Sequence, residues 1–178
     1  QEELAPQIQK HELADETQPF LKNRALYFAV QLQDRNNPET PTAAIINIPD
    51  KSGKKRFVEI PSATEGAQSF VFTDDVIRLF SEKLFPGFQV QGCYAIKLSR
   101  DAELHLDEEV HGDLLTEIKE KLEHRAEGMP SRFIYDNQMP SALLETLKAY
   151  FQLAGDELIA GGQYHNFHDF FDFPFPDI

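Results

Sequence analysis

A single cysteine, Cys93, among 178 residues excludes an internal disulfide framework. It sits in an apolar stretch and reads as a small core residue in a reducing compartment. Apolar runs fall short of the roughly 18–20 residues a membrane-spanning helix needs, and no signal peptide is visible. Clustered positive charge is nearly missing as well. Lys51, Lys54, Lys55 and Arg56 form the one local basic group, in an expected turn. Nucleic acid is gripped by clustered Lys and Arg, so this chain is not expected to bind it. Neither a GxxxxGK[ST] phosphate loop nor a GxSxG elbow occurs, and no internal repeat or low-complexity stretch is seen. The residues themselves spell no recognisable active site.

What is present is acid. Thirty Asp and Glu against seventeen Lys and Arg give a formal net charge of −13. Ten acidic and three basic residues fall between Asp101 and Glu127. A solvated helix face accounts for that run. Hydrophobic and charged shares of 41% and 26% are those of an ordinary globular protein long enough to bury a core.

Periodicity predicts strands over Ala25–Gln33, Ala43–Ile48 and Arg56–Ile60, joined by short polar turns as an antiparallel meander. Thr73 is the expected N-cap of a helix with Val76, Ile77, Phe80 and Leu84 at helical spacing, stopped by Pro86-Gly87. Asp74 and Asp75 would complement its dipole. A strand over Val90–Leu98 follows. Next comes an amphipathic acidic helix from Asp107 to about Ala126, then a strand over Ser131–Tyr135. A last helix opens at Pro140, turns Leu143, Leu144, Leu147, Tyr150 and Phe151 inward, and closes at Gly155. The expected fold is α+β: two layers, a mainly antiparallel sheet of about five strands, helices on one face. Residues 1–19 read as a polar N-terminal arm or partial helix, and 20–178 as a single domain. An opening at Gln1 and a proline-punctuated apolar end, Phe173 to Ile178, suggest a piece of something larger.

The richest stretch is Gly161-Gly162-Gln163-Tyr164-His165-Asn166-Phe167-His168-Asp169-Phe170-Phe171-Asp172-Phe173. Glycines permit close backbone approach, and aromatics with polar handles suit an interface or a buried network. His165-x-x-His168-Asp169 invites a metal reading, with both imidazoles on one face if the segment is helical. The alternative is a network in which His165 and Asn166 bond backbone groups. Arg100 and Asp101, at a strand exit, suit either an anion clamp or an ion pair locking a turn. Asp107, Glu108 and Glu109 imitate a paired-carboxylate site, but a helix dipole explains them.

Several pieces taken in order resemble the middle, or head, domain of the long-form polyphosphate kinases that work through a phosphohistidine. They are Phe20-Leu21-Lys22 with Tyr27-x-Ala29-Val30, Ile60-Pro61-Ser62, Ser99-Arg100-Asp101-Ala102-Glu103, and Arg132-Phe133-Ile134-Tyr135 with Met139-Pro140. The last is Gly161 to Phe170, followed by Phe173-Pro174. The family's wording of that motif is Gly-Gly-Arg-Tyr-His-Asn-Phe-Lys-Asp-Phe, so Gln163 and His168 each replace a cation. The resemblance implies a parent, bacterial and cytoplasmic, that moves the terminal phosphate of ATP onto a histidine and then onto polyphosphate, with magnesium. It implies that the phosphorylated histidine and the nucleotide site belong to other domains, so His165 is not that histidine. This domain is then expected to bind no cofactor and to be inactive alone. It would pack against the other domains of its chain and help build a homo-oligomer. Tyr164, His165, Asn166 and Phe167 are the expected contact or scaffold cluster, with Arg100 and Asp101 next. Two rivals stand: a metal-dependent hydrolase using His165, His168 and Asp169, and an unrelated protein-interaction module.

Overall fold

Five successive residues, Leu26 to Val30, are buried although only alternate ones were expected to face a core. They belong to β2 (Leu26–Asp34), the inner strand of a six-stranded sheet. The computed structural model describes residues 8, 10–13, 21–39, 41–49, 56–100 and 130–174. The expected acidic helix, Asp101 and the lysines at 51, 54 and 55 lie outside them.

In chain order the main sheet contains β1 (Lys10–Glu12), β2, β3 (Pro41–Asn47), β6 (Phe88–Arg100), β7 (Pro130–Asp136) and β8 (Leu158–Gly161). Their spatial order is β1-β3-β2-β6-β7-β8. All neighbours are antiparallel except β7 and β8. Parallel strands need a crossover, and helix α2 (Ser141–Phe151) lies between them in the chain. Lys10–Glu12, read as arm or partial helix, pair with β3 as the edge strand.

Burial on both sides of β2 follows from helices on opposite faces. Leu143, Leu147 and Phe151 of α2 pack with Tyr27, Ala29, Ile45, Ile96 and Phe133. Ile77 of α1 (Thr73–Phe80) and Phe85 pack with Leu26, Phe28, Val30 and Ile46. The expectation of two layers with helices on one face is therefore corrected. The same strand feeds two cores, because Tyr27 and Ala29 on its second face are also apolar enough to bury.

A second correction concerns β4 (Phe57–Ile60). It does not extend the meander but pairs with β5 (Ser69–Phe72), a strand the periodicity did not reveal, in a separate two-stranded sheet. Phe57 and Phe72 lie opposite one another, and their rings meet at 5.1 Å. A two-stranded hairpin is marginal alone in water, so this one depends on what covers it.

The helix boundaries shift too. Phe72, not Thr73, occupies the N-cap of α1, and Thr73 is buried with its N–H donating to the Arg56 carbonyl. A 3-10 turn, Ser81–Leu84, separates α1 from Pro86. Helix α2 closes at Gln152, which takes the left-handed conformation at φ 54°, rather than at Gly155. A β-bulge between β2 and β6 falls beside Gly92, where an added Cβ would stand 2.6 Å from the Tyr94 hydroxyl.

Candidate functional site: an aromatic and ionic junction

Gly161, the last residue of β8, begins the segment that ties hairpin, helix and main sheet together. A Cβ there would lie 2.8 Å from Ile134 Cγ2 and 2.9 Å from His165 Cε1. Only glycine lets the imidazole fold back against the sheet. Gly161→Ala is expected to cost about 1–3 kcal/mol through overpacking, read as a lower urea midpoint at unchanged slope.

The chain next passes α1. Arg78 Nη2 donates to the Gln163 carbonyl at 2.9 Å, and its Nη1 pairs with Asp75 at 3.0 Å. The Tyr164 hydroxyl donates to the same Asp75 carboxylate at 3.0 and 3.1 Å, while its ring stacks on Phe72 at 4.7 Å. The Arg78 guanidinium faces both Tyr164, at 5.3 Å, and Phe28 of the core, at 4.6 Å. Each such contact adds roughly 0.5–2 kcal/mol where water is excluded.

His165 Nε2 lies 3.4 Å from the Ala95 carbonyl on β6. A carbonyl only accepts, so this nitrogen carries the proton. Burial holds the imidazole below its ordinary value of 6.5, with Lys97 and Arg56 adding to the effect and the Ala95 bond and Asp136 opposing it. A histidine depressed in the folded state favours the neutral form. Its contribution is therefore full above about pH 6.5 and lost as pH falls through the folded value. Wild type is expected to lose more stability than His165→Gln between pH 7.5 and 5.5, with thermal melts as the readout. Equal losses would show that His165 does not titrate on unfolding.

Asn166 takes the left-handed conformation, φ 62° and ψ 58°, which asparagine tolerates better than other side chains. Its Oδ1 accepts from Lys97 Nζ of β6. The reversal starts a 3-10 turn, Phe167–Asp172. Three residues per turn stack the side chains in columns. Phe167, Phe170 and Phe173 form one column, with Phe170 and Phe173 on Phe57 at 5.4 and 4.8 Å. Asp169 heads the second and turns inward. His168 and Phe171 form the third, their rings 5.2 Å apart.

At the centre sits Arg56, read in the sequence as part of a basic turn and the start of a strand, and only 9% exposed. Its Nη2 pairs with Asp74 at 2.7 Å and contacts the His165 carbonyl at 3.4 Å, while Nη1 pairs with Asp169 at 2.9 Å. Burial pushes the Asp74 and Asp169 carboxyls up from their usual range, and Arg56 opposes the shift in each. Arg56 Nε and Asp74 Oδ1 are buried without a hydrogen-bond partner among the described residues. One cation thus joins the hairpin, α1 and the terminal turn.

The expected cluster Tyr164, His165, Asn166 and Phe167 is contiguous, but its members diverge: three turn into the domain and Phe167 turns out. Arg100 stands apart at the end of β6, its N–H donating to Asn23 Oδ1 at 3.0 Å. The rival metal reading of His165, His168 and Asp169 is not favoured. Their partners are Ala95, the Phe171 ring and Arg56, in different directions, and no metal-holding group forms among the described residues. Arg56, Asp74, Asp75, Arg78 and Lys97 were missed because, apart from the local Asp75–Arg78 pair, their partners lie far along the chain, Asp169 being 113 positions from Arg56.

The model of the polyphosphate kinase middle domain matches residues 1–173. The chain belongs to that family. The polyphosphate kinase of Vibrio cholerae is 33% identical over 97% of this domain and 25% of its own length. That of Escherichia coli K12 is 32% identical over 87% and 23%. The crystal structure of the Porphyromonas gingivalis polyphosphate kinase superposes with a TM-score of 0.77 at 30% identity, covering 98% of this chain and 24% of that one. This middle domain therefore spans about a quarter of the length of the relatives it matches. Gln163 engages Arg78 through its backbone carbonyl, and His168 is exposed.

Proposed function

We propose that this middle domain is a non-catalytic structural member of a polyphosphate kinase, the enzyme converting ATP and polyphosphate into ADP and a chain one phosphate longer. Residues 20–178 make the α+β unit, and the N-terminal arm 1–19 lends it an edge strand. The observation that carries this is the direction of the charged side chains. Arg56, Arg78 and Lys97 all meet protein acceptors at the junction, so none is spare for a triphosphate or for a magnesium-bound phosphate. Carboxylates held by arginines are poor ligands for a hard divalent cation. The junction therefore does not fit ATP and magnesium, and they belong to other parts of the parent.

What the junction does supply is a stiff platform. Tyr164, His165 and Asn166 position the terminal turn, and Phe167 with Arg100 at the end of β6 offers surface to the other domains of the chain and to a second copy in a homo-oligomer. No helix among the described residues is long and apolar enough to cross a membrane. The parent is read as a cytoplasmic enzyme because its substrate ATP is at hand there.

Incubation with ATP labelled at the terminal phosphate tests the proposal. The purified domain is expected to show no acid-labile phosphohistidine and no ATP consumption, whereas the full-length kinase shows both. Labelling of the domain alone would end it.

A further inference from the structure

Two phenylalanines stand in water on a turn that is pinned to the domain by Asp169, Phe170 and Phe173. Phe167 is 74% exposed and Phe171 82%. Three-residue periodicity explains the placement, since anchoring Asp169 on Arg56 and Phe170 and Phe173 on Phe57 leaves Phe171 and the start of the Phe167 column outside. Of the two exposed rings, Phe167 is braced through Phe170, and Phe171 lies 5.2 Å from the ring of exposed His168. Phe167 stacks on Phe170 at 6.3 Å and 13°, and Phe170 meets Phe72 edge-on at 5.7 Å. Rigid aromatics lose little conformational entropy when they dock, and such residues dominate interfaces.

We infer that Phe167 and Phe171 are the anchors by which this domain docks onto a basic-rimmed apolar pocket elsewhere in the same polyphosphate kinase chain. The inference rests on the middle-domain reading and adds the partner's chemistry. Two observations choose that occupant over a second copy of this domain. The matched relatives devote about three quarters of their length to other parts, which supplies a covalently tethered partner at high effective concentration. Charge decides the rest. Exposed Asp172 lies beside the anchors on a domain of net charge −13, so two copies face to face would set acid against acid. Segments that handle polyphosphate must carry clustered Lys and Arg, which complement an acidic rim.

The test uses full-length kinase carrying Phe171→p-benzoylphenylalanine, prepared as an equal mixture of light and heavy isotope forms and irradiated. The expected product joins position 171 to a Lys- or Arg-containing peptide outside residues 1–178, within one isotope form. Mixed-isotope products, a peptide from within this domain, or no product each overturn the inference. Phe167→Ser with Phe171→Ser, both on the surface, is expected to speed limited tryptic cleavage between domains about tenfold, the loss of one good anchor. An unchanged cleavage rate counts against docking. A full-length wild-type chain that makes no polyphosphate would overturn the kinase reading and the partner's identity with it. An active chain without the cross-link overturns the docking alone.

Discussion

Arg56→Ala is expected to lower stability by about 3–5 kcal/mol, because it strands buried carboxylates rather than merely deleting a contact. The side chain of Asp74 is 1% exposed and that of Arg56 7%. With the guanidinium gone, Asp74 would retain Arg78 as a neighbouring cation but lose its one direct ion pair. Asp169, with a side chain 30% exposed, recovers water and should contribute little to the loss. Urea denaturation of the domain at pH 7.5 reads the effect. The double variant Arg56→Met with Asp74→Asn is expected to be more stable than Arg56→Ala, since it removes the charge that burial penalises. If the double variant were no better, a desolvated carboxylate would not be the source of the cost. Among the described residues Arg56 Nε and Asp74 Oδ1 have no hydrogen-bond partner, so the pair is imperfectly satisfied there. Its value then lies in fixing where three elements meet rather than in net stability.

Phe57→Ala should cost a similar 3–5 kcal/mol, and its consequences should be less local than those of an ordinary core truncation. Phe57 is 5% exposed and touches the rings of Phe72, Phe170 and Phe173. Among the described residues of the hairpin, it is the one whose ring meets both Phe170 and Phe173 of the terminal turn. Its removal should free β4–β5 and the turn together while the main sheet, whose cores lie elsewhere, persists. Amide hydrogen exchange separates these cases. Loss of protection confined to residues 56–72 and 163–173 is expected, with β2 and β6 protected as before. Uniform loss across the sheet would show that hairpin and sheet unfold as one unit.

Much of this domain was legible in its residues. Strands β2, β3, β6 and β7 and helices α1 and α2 announce themselves by periodicity, since each buries a face regular enough to repeat. The terminal motif was legible as a place of consequence, because glycines, aromatics and amides rarely concentrate without a close approach to make. Strands β5 and β8 were not legible. Each is only four residues long, no more than two cycles of alternation, and the equally short β4 was read as a strand but not as part of a separate hairpin.

The side to which each charge turns was decided only in three dimensions. Arg56 in a run of lysines and Asp74 beside Asp75 look like solvated surface, and their local sequence permits nothing else. They become a buried pair because β4 leaves the meander, β5 returns beside it, and the terminal turn closes over both from more than a hundred residues away. Composition and periodicity are local properties and dictate which segments bury a face. An ion pair in the interior is a property of several segments at once, fixed by how they pack, and so it emerges only when the chain has folded.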